Sequence, residues 1–251
     1  MAAGKLWYNT GVVLFGFGKE SPPAADSPPR VSAFAVSETG LVRPENQDHV
    51  FVDESRFVYC VADGVGGGSD GAMASEIVCR NLKMMLGAAG PGFAARVAAV
   101  DRAVDESNAA VLAWARERGY SAMGSTAAIL VLDPANPRHA AVCHVGDSRV
   151  YRIRGGMPSR LTRDHRADAV EHGITRAIGA AESVEAEWVE IESTNASRFV
   201  LCTDGVNDVV SDARLAVFAS AGPVEMAARR LSDEIVRRGA PDNYSFVIVS
   251  V

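Results

Sequence analysis

Phe57-Val58-Tyr59-Cys60-Val61-Ala62-Asp63-Gly64 is an apolar run that stops at an aspartate beside a glycine. The same arrangement recurs twice. Ala140-Ala141-Val142-Cys143-His144-Val145 runs into Gly146-Asp147, and Phe199-Val200-Leu201-Cys202-Thr203 runs into Asp204-Gly205. Each run has the length and the β-branched or aromatic content of a buried strand. Strands of this kind lying side by side bring three carboxylates to one sheet edge. Clustered carboxylates resist ionising together unless a cation neutralises them. A site built only of oxygen ligands selects a hard ion, Mg²⁺ or Mn²⁺, over zinc. The reading that follows is a carboxylate-built metal site of hydrolytic type.

Outward from these runs, further strands are expected at Val31–Val36, His49–Val52, Thr126–Leu132, Arg149–Ile153, Val184–Ile191 and Ser245–Val251. Helical spacing begins after Gly71, where Ala74, Ile77, Val78, Leu82 and Met85 share a face. It returns from Phe93 through Val97, Val100, Val104 and Val111 to Ala115, as one helix closed at Gly119 or as two that break near Ser107. A late helix opens at Pro223 and stops at Gly239. The strands fall in hairpin-like sets around helical blocks, which favours an α+β fold with antiparallel sheets over a doubly wound parallel one. Gly66-Gly67-Gly68 lacks the ending of a phosphate-binding P-loop and reads as a tight turn.

The composition is that of an ordinary folded chain: 251 residues, 48% apolar, 22% charged. A net charge of −6 gives no electrostatic reason to expect nucleic acid as a partner. Cys60, Cys79, Cys143 and Cys202 form no C-x-x-C pair, and three of them sit inside apolar runs. They read as reduced core residues, not as zinc ligands or a secreted disulfide framework. Leu6 to Phe17 is apolar but too short to span a bilayer, and Ser21 to Pro29 reads as a linker. Residues 1–30 are therefore expected to be a flexible extension and 31–251 the catalytic domain. A cytoplasmic location without stable membrane insertion is expected.

Two more clusters stand just ahead of strands: Arg43-Pro44-Glu45-Asn46-Gln47-Asp48, and Pro241-Asp242-Asn243-Tyr244-Ser245. With them, eight stretches fall into a recognisable order. They are Ser37-x-x-Gly40-x-x-Arg43-x-x-Asn46-Gln47-Asp48, Asp63-Gly64-Val65-Gly66-Gly67, Gly124-Ser125-Thr126-Ala127, Gly146-Asp147-Ser148-Arg149, Leu161-Thr162-Arg163-Asp164-His165, Thr175-Arg176-Ala177-Ile178-Gly179, Thr203-Asp204-Gly205-x-x-Asp208 and Asp242-Asn243. In this order the chain resembles the type-2C (PPM) metal-dependent serine/threonine protein phosphatases in their compact bacterial form. The resemblance implies a four-layer α-β-β-α sandwich with two central, mainly antiparallel sheets. It implies that Asp63 bridges two tightly bound Mn²⁺ or Mg²⁺ ions, with the Gly64 carbonyl on one, and that Asp204 and Asp242 complete the pair. It implies that Asp147 and Asp208, with Asp204, hold a weaker third ion. Asp48 is expected to orient the attacking water and Arg43 to grip the substrate phosphate.

The implied activity is hydrolysis of phosphoserine and phosphothreonine on proteins by a metal-activated water, in a monomer that opposes a serine/threonine kinase. The alternatives are a phosphoprotein-binding pseudo-phosphatase and a regulatory phosphatase of an anti-sigma antagonist. Retention of all six aspartates argues against the first, and the Arg-x-x-Asn-Gln-Asp stretch against the second. Three departures stand out. Gln47 replaces a common glutamate and Val65 an occasional histidine. Only nine residues, Arg166 to Ile174, lie where relatives carry a longer flap, so an open site of broad specificity is expected. His144 reads as a core histidine, and His165 and His172 are given no role in the site.

Overall fold

The computed structural model describes residues 31–66, 70–120, 122–133, 135–136, 139–166, 173–192 and 197–251. The expectations for residues 1–30, for Gly67 and Gly68, for His172 and for most of the short connection after Arg166 lie outside them.

One sheet contains β1 (Ser32–Glu38), β7 (Arg149–Arg154), β8 (Met157–Arg160), β10 (Arg198–Cys202) and β11 (Tyr244–Ser250), in the order β1-β11-β10-β7-β8. The other contains β2 (Asp48–Asp53), β3 (Val58–Gly66), β5 (Ala127–Leu132), β6 (His139–Val145) and β9 (Glu187–Glu192) in that order, with β4 (Met123–Ser125) paired to the end of β3. Every pairing is antiparallel. The long helices α1 (Asp70–Ala88) and α2 (Phe93–Arg118) cover the second sheet. The short α3 (Asp204–Asn207) follows β10, and α4 (Asp212–Ala219) and α5 (Val224–Arg237) cover the first sheet.

The two-residue alternation of each strand builds this stack. On β10, Val200 and Cys202 face α4 and α5, whereas Phe199 and Leu201 face the opposite sheet. On β5, Ala127, Ile129 and Val131 face α1 and α2, whereas Ala128, Leu130 and Leu132 face the first sheet. Apolar packing thus fills both sides of each central strand, which is why the diagnostic runs are apolar throughout and not alternating. The result is the four-layer sandwich that the resemblance implies. All four cysteines are free and buried, as expected.

Phe93–Arg118 is one unbroken helix closed at Gly119, the first of the two expected alternatives. Other details differ from expectation. The expected strand from Val184 starts only at Glu187; Val184 and Ala186 pack against the core from the preceding loop. Thr126 separates β4 from β5 and is not itself in a strand. The sequence reading missed β4, β8, α3 and α4.

Leu201 is fully buried between the sheets, whereas Val217 on α4 is 64% exposed. Leu201→Ala should lower the unfolding free energy by about 2–5 kcal/mol, and Val217→Ala by less than about 0.5 kcal/mol, both measured by urea titration. Equal effects would contradict this assignment of the core.

Candidate metal centre

The second sheet supplies the first pair of acids. Asp48 opens β2 directly opposite Asp63 on β3. The Asp63 backbone is locked on both sides: its N–H donates to Thr126 Oγ1 at 2.9 Å and its carbonyl accepts from Thr126 N–H at 2.8 Å. Gly64 donates its N–H to the Gln47 carbonyl at 3.1 Å. A Cβ on Gly64 would lie 1.9 Å from the Gly71 carbonyl oxygen, so only glycine lets the start of α1 approach this strand.

The first sheet supplies the others. Thr203, at the end of β10, accepts from Ser245 N–H at 2.9 Å and donates through Oγ1 to Asp48 Oδ2 at 2.9 Å. That bond crosses from one sheet to the other and fixes the Asp48 carboxylate. Asp204 follows in the first turn of α3, and Asp208 ends that turn. Asp242 lies just ahead of β11. Its neighbour Asn243 donates to the carbonyls of Thr39 and Glu45, both at 2.8 Å, and accepts from Gln47 N–H at 2.9 Å. Asn243 thereby holds the 39–47 loop that carries Arg43. Arg43 in turn donates to Asp242 Oδ2 at 2.7 Å, not to Glu45.

Asp147 is buried at the end of the Gly146 turn. Next to it, Arg149 forks onto Asp164 with bonds of 3.0 and 2.7 Å, and Val150 N–H donates to Thr162 Oγ1, so the Leu161–His165 stretch is pinned beside this turn. Arg166 then reaches in, with Nε 2.7 Å from Asp147 Oδ2 and Nη2 3.3 Å from Asp204 Oδ2. The sequence reading gave Arg166 no place in the site.

The acids disturb one another. Burial, and then the charges of Asp48, Asp204 and Asp147, push the Asp63 carboxyl well above the usual carboxylate range. Burial is also the largest cause for Asp48, pushed up to about 7, and for Asp204, pushed up to about 6. The structure therefore brings Asp48, Asp63, Asp147, Asp204, Asp208 and Asp242 within electrostatic reach of one another, with Arg43 at the rim.

The residues fit hard divalent cations. Every available donor is an oxygen, and Asp147 Oδ1 is buried with no hydrogen-bond partner. The Arg166 guanidinium already lies between two of the carboxylates, where positive charge is favourable.

Fold and cluster together define an α-β-β-α sandwich protein with a cluster of carboxylates between its sheets. The chain matches the protein phosphatase 2C family over residues 43–238 and belongs to that family. It is 32% identical over 235 residues to the serine/threonine protein phosphatase PstP of Mycobacterium tuberculosis, an alignment that covers 86% of this chain and 44% of PstP. The chain thus spans less than half the length of that relative. Among solved structures it resembles PppA, described as a key regulatory component of T6SS in Pseudomonas aeruginosa, with a TM-score of 0.81, 30% identity and coverage of 88% and 97% of the two chains. It also resembles the catalytic domain of PstP in complex with two manganese ions, with a TM-score of 0.76, 30% identity and the same coverage.

The raised carboxyls give a pH dependence of known sign. The folded protein keeps protons that the unfolded chain releases near its ordinary carboxylate value. This contribution is full at low pH and is lost as pH rises through about 6 for Asp204 and about 7 for Asp48. Glu38, raised to about 7 by burial, adds in the same direction. In chelator, the melting temperature should therefore fall between about pH 4.5 and about pH 7.5, and saturating Mn²⁺ should remove most of the fall. A melting temperature that ignores metal at both pH values would contradict the assignment.

Proposed function

We propose that this chain is a protein-serine/threonine phosphatase that uses Mn²⁺ or Mg²⁺. The observation that carries the reading is the convergence of six aspartates from both sheets, with Arg43 beside Asp242 at their rim. Asp63, the Gly64 carbonyl, Asp204 and Asp242 are the residues that would hold a tight pair of ions. Asp147, Asp208 and Asp204 would hold a weaker third. When bound, such ions lower the pKa of coordinated water and neutralise charge on the phosphate.

This chain's own residues do the rest. Asp48, fixed by Thr203, orients the attacking water. The Arg43 side chain is 53% exposed, so its planar fork is open to two phosphate oxygens. Asn243 keeps the Arg43 loop in register with the acids. The substrates are phosphorylated proteins, with a serine/threonine kinase as the opposing activity and the cytoplasm as the setting. Buried, unpaired cysteines suit a reducing compartment. Among the described residues, no helix is long and apolar enough to cross a membrane. Retention of all six acids leaves nothing in favour of a binding protein without turnover.

Phosphate release from a phosphothreonine peptide should require Mn²⁺ or Mg²⁺ and stop in EDTA. Asp63→Asn or Asp204→Asn should lower kcat by at least about a hundredfold. Full activity in chelator would overturn the reading. Arg43→Ala should raise KM by about tenfold or more without loss of Mn²⁺ affinity, as removal of a charge-assisted phosphate contact predicts. An unchanged kcat/KM would make Arg43 a bystander.

A further inference from the structure

His165 is buried and grips Gly146 twice. Its backbone N–H donates to the Gly146 carbonyl at 2.8 Å, and its ring Nδ1 accepts from Gly146 N–H at 3.1 Å. One residue thus satisfies both polar groups of the turn that presents Asp147. That turn has little freedom of its own. Gly146 has φ +99°, and a Cβ there would lie 2.6 Å from Thr126 Cγ2. His165 also accepts from Thr175 N–H at 2.7 Å, and Arg166 bridges to Ile174, so both ends of the short connection are tied at this point.

With Nδ1 used as an acceptor, the neutral ring carries its proton on Nε2. Nε2 lies 3.0 Å from Glu187 Oε1, the carboxylate that also receives Arg176 Nη1 at 3.5 Å. The His144 ring backs the His165 ring at 4.7 Å between centroids. Burial holds His144 neutral, with its pKa pushed down to about 4. The donor atoms of His144, His165 and Glu187 lie within 4.8 Å of one another, a spacing that would suit a metal. The hydrogen bonds exclude that use: neither His165 nitrogen has a lone pair to spare, and the Arg176 guanidinium sits 3.3 Å from Nε2. The group is a relay of hydrogen bonds running from the exposed edge of β9 to the Asp147 turn.

We infer that His165, oriented by Glu187, is a positioning residue for the Asp147 carboxylate and so sets the affinity of the outermost cation. The inference rests on the proposed role of Asp147 as a ligand of that ion. Residues that orient a ligand from behind affect metal affinity by about 10–100-fold when removed.

The test is calorimetric titration of the whole protein with Mn²⁺ alone. His165→Leu should weaken the last binding step by about tenfold and leave the tight steps unchanged. His165→Asn should restore most of that affinity, because its side-chain oxygen can replace Nδ1 as the acceptor for Gly146 N–H. Glu187→Ala, at a half-exposed position that tolerates change, should weaken the same step by about threefold. It keeps the test available if His165→Leu does not fold. Asp147→Asn separates the two claims. If it leaves the last step intact, the ligand role of Asp147 fails. If it removes that step while His165→Leu and Glu187→Ala do not weaken it, the inference about His165 fails. Equal weakening of every step by His165→Leu would also overturn it.

Discussion

Mutual repulsion among buried carboxylates is the constraint on which the rest of this structure depends. Asp48, Asp63 and Asp204 lie where burial and neighbouring acids both oppose ionisation. Isolated, such a cluster destabilises the fold at neutral pH, because each acid must hold a proton or repel its neighbours. Divalent cations held by the same arrangement would turn it into a source of stability. The sandwich provides what holds the acids in place. Asp63 is locked to Thr126, Asp48 to Thr203, and the loop before Asp48 to Asn243. Each lock joins segments that are far apart in sequence, and the Thr203–Asp48 bond joins the two sheets.

Positive charge is distributed around this cluster with two different results. Arg43 is exposed and pairs with Asp242 at the rim, where a phosphate can compete for it. Arg166 is more enclosed and pairs with Asp147 and Asp204. A cation held by Asp147, as proposed, would share this corner with that guanidinium, which would make the outermost ion bind more weakly than the inner pair. His165 acts on the same corner from the other side, through Gly146.

Much of this was legible in the sequence, for reasons that can be named. Val58–Ala62 and Phe199–Cys202 are buried on both faces, so they read as unbroken apolar runs. Asp204-Gly205 ends its run because α3 begins there, whereas β3 carries on through Asp63-Gly64 to Gly66. β8 was not legible: Met157-Pro158-Ser159-Arg160 is a largely exposed edge strand with no apolar alternation, and only its pairing with β7 makes it a strand. α4 has eight residues, too few for a clear helical period. Arg166 and His165 escaped because their roles come from partners 19 residues away in the sequence. The short sequence spacing of an Asp-Gly pair has no counterpart there. Asn243 was quoted within a motif, yet nothing in the sequence shows that it ties together the loop around Arg43.

The most direct measurement is the number of Mn²⁺ ions bound near neutral pH, by equilibrium dialysis of the wild-type protein and of Asp63→Asn. If the acids repel because they are built to share cations, the wild type binds a tight pair and Asp63→Asn loses it. A wild-type protein that binds no Mn²⁺ tightly, or an Asp63→Asn variant that keeps the full complement, would contradict the account.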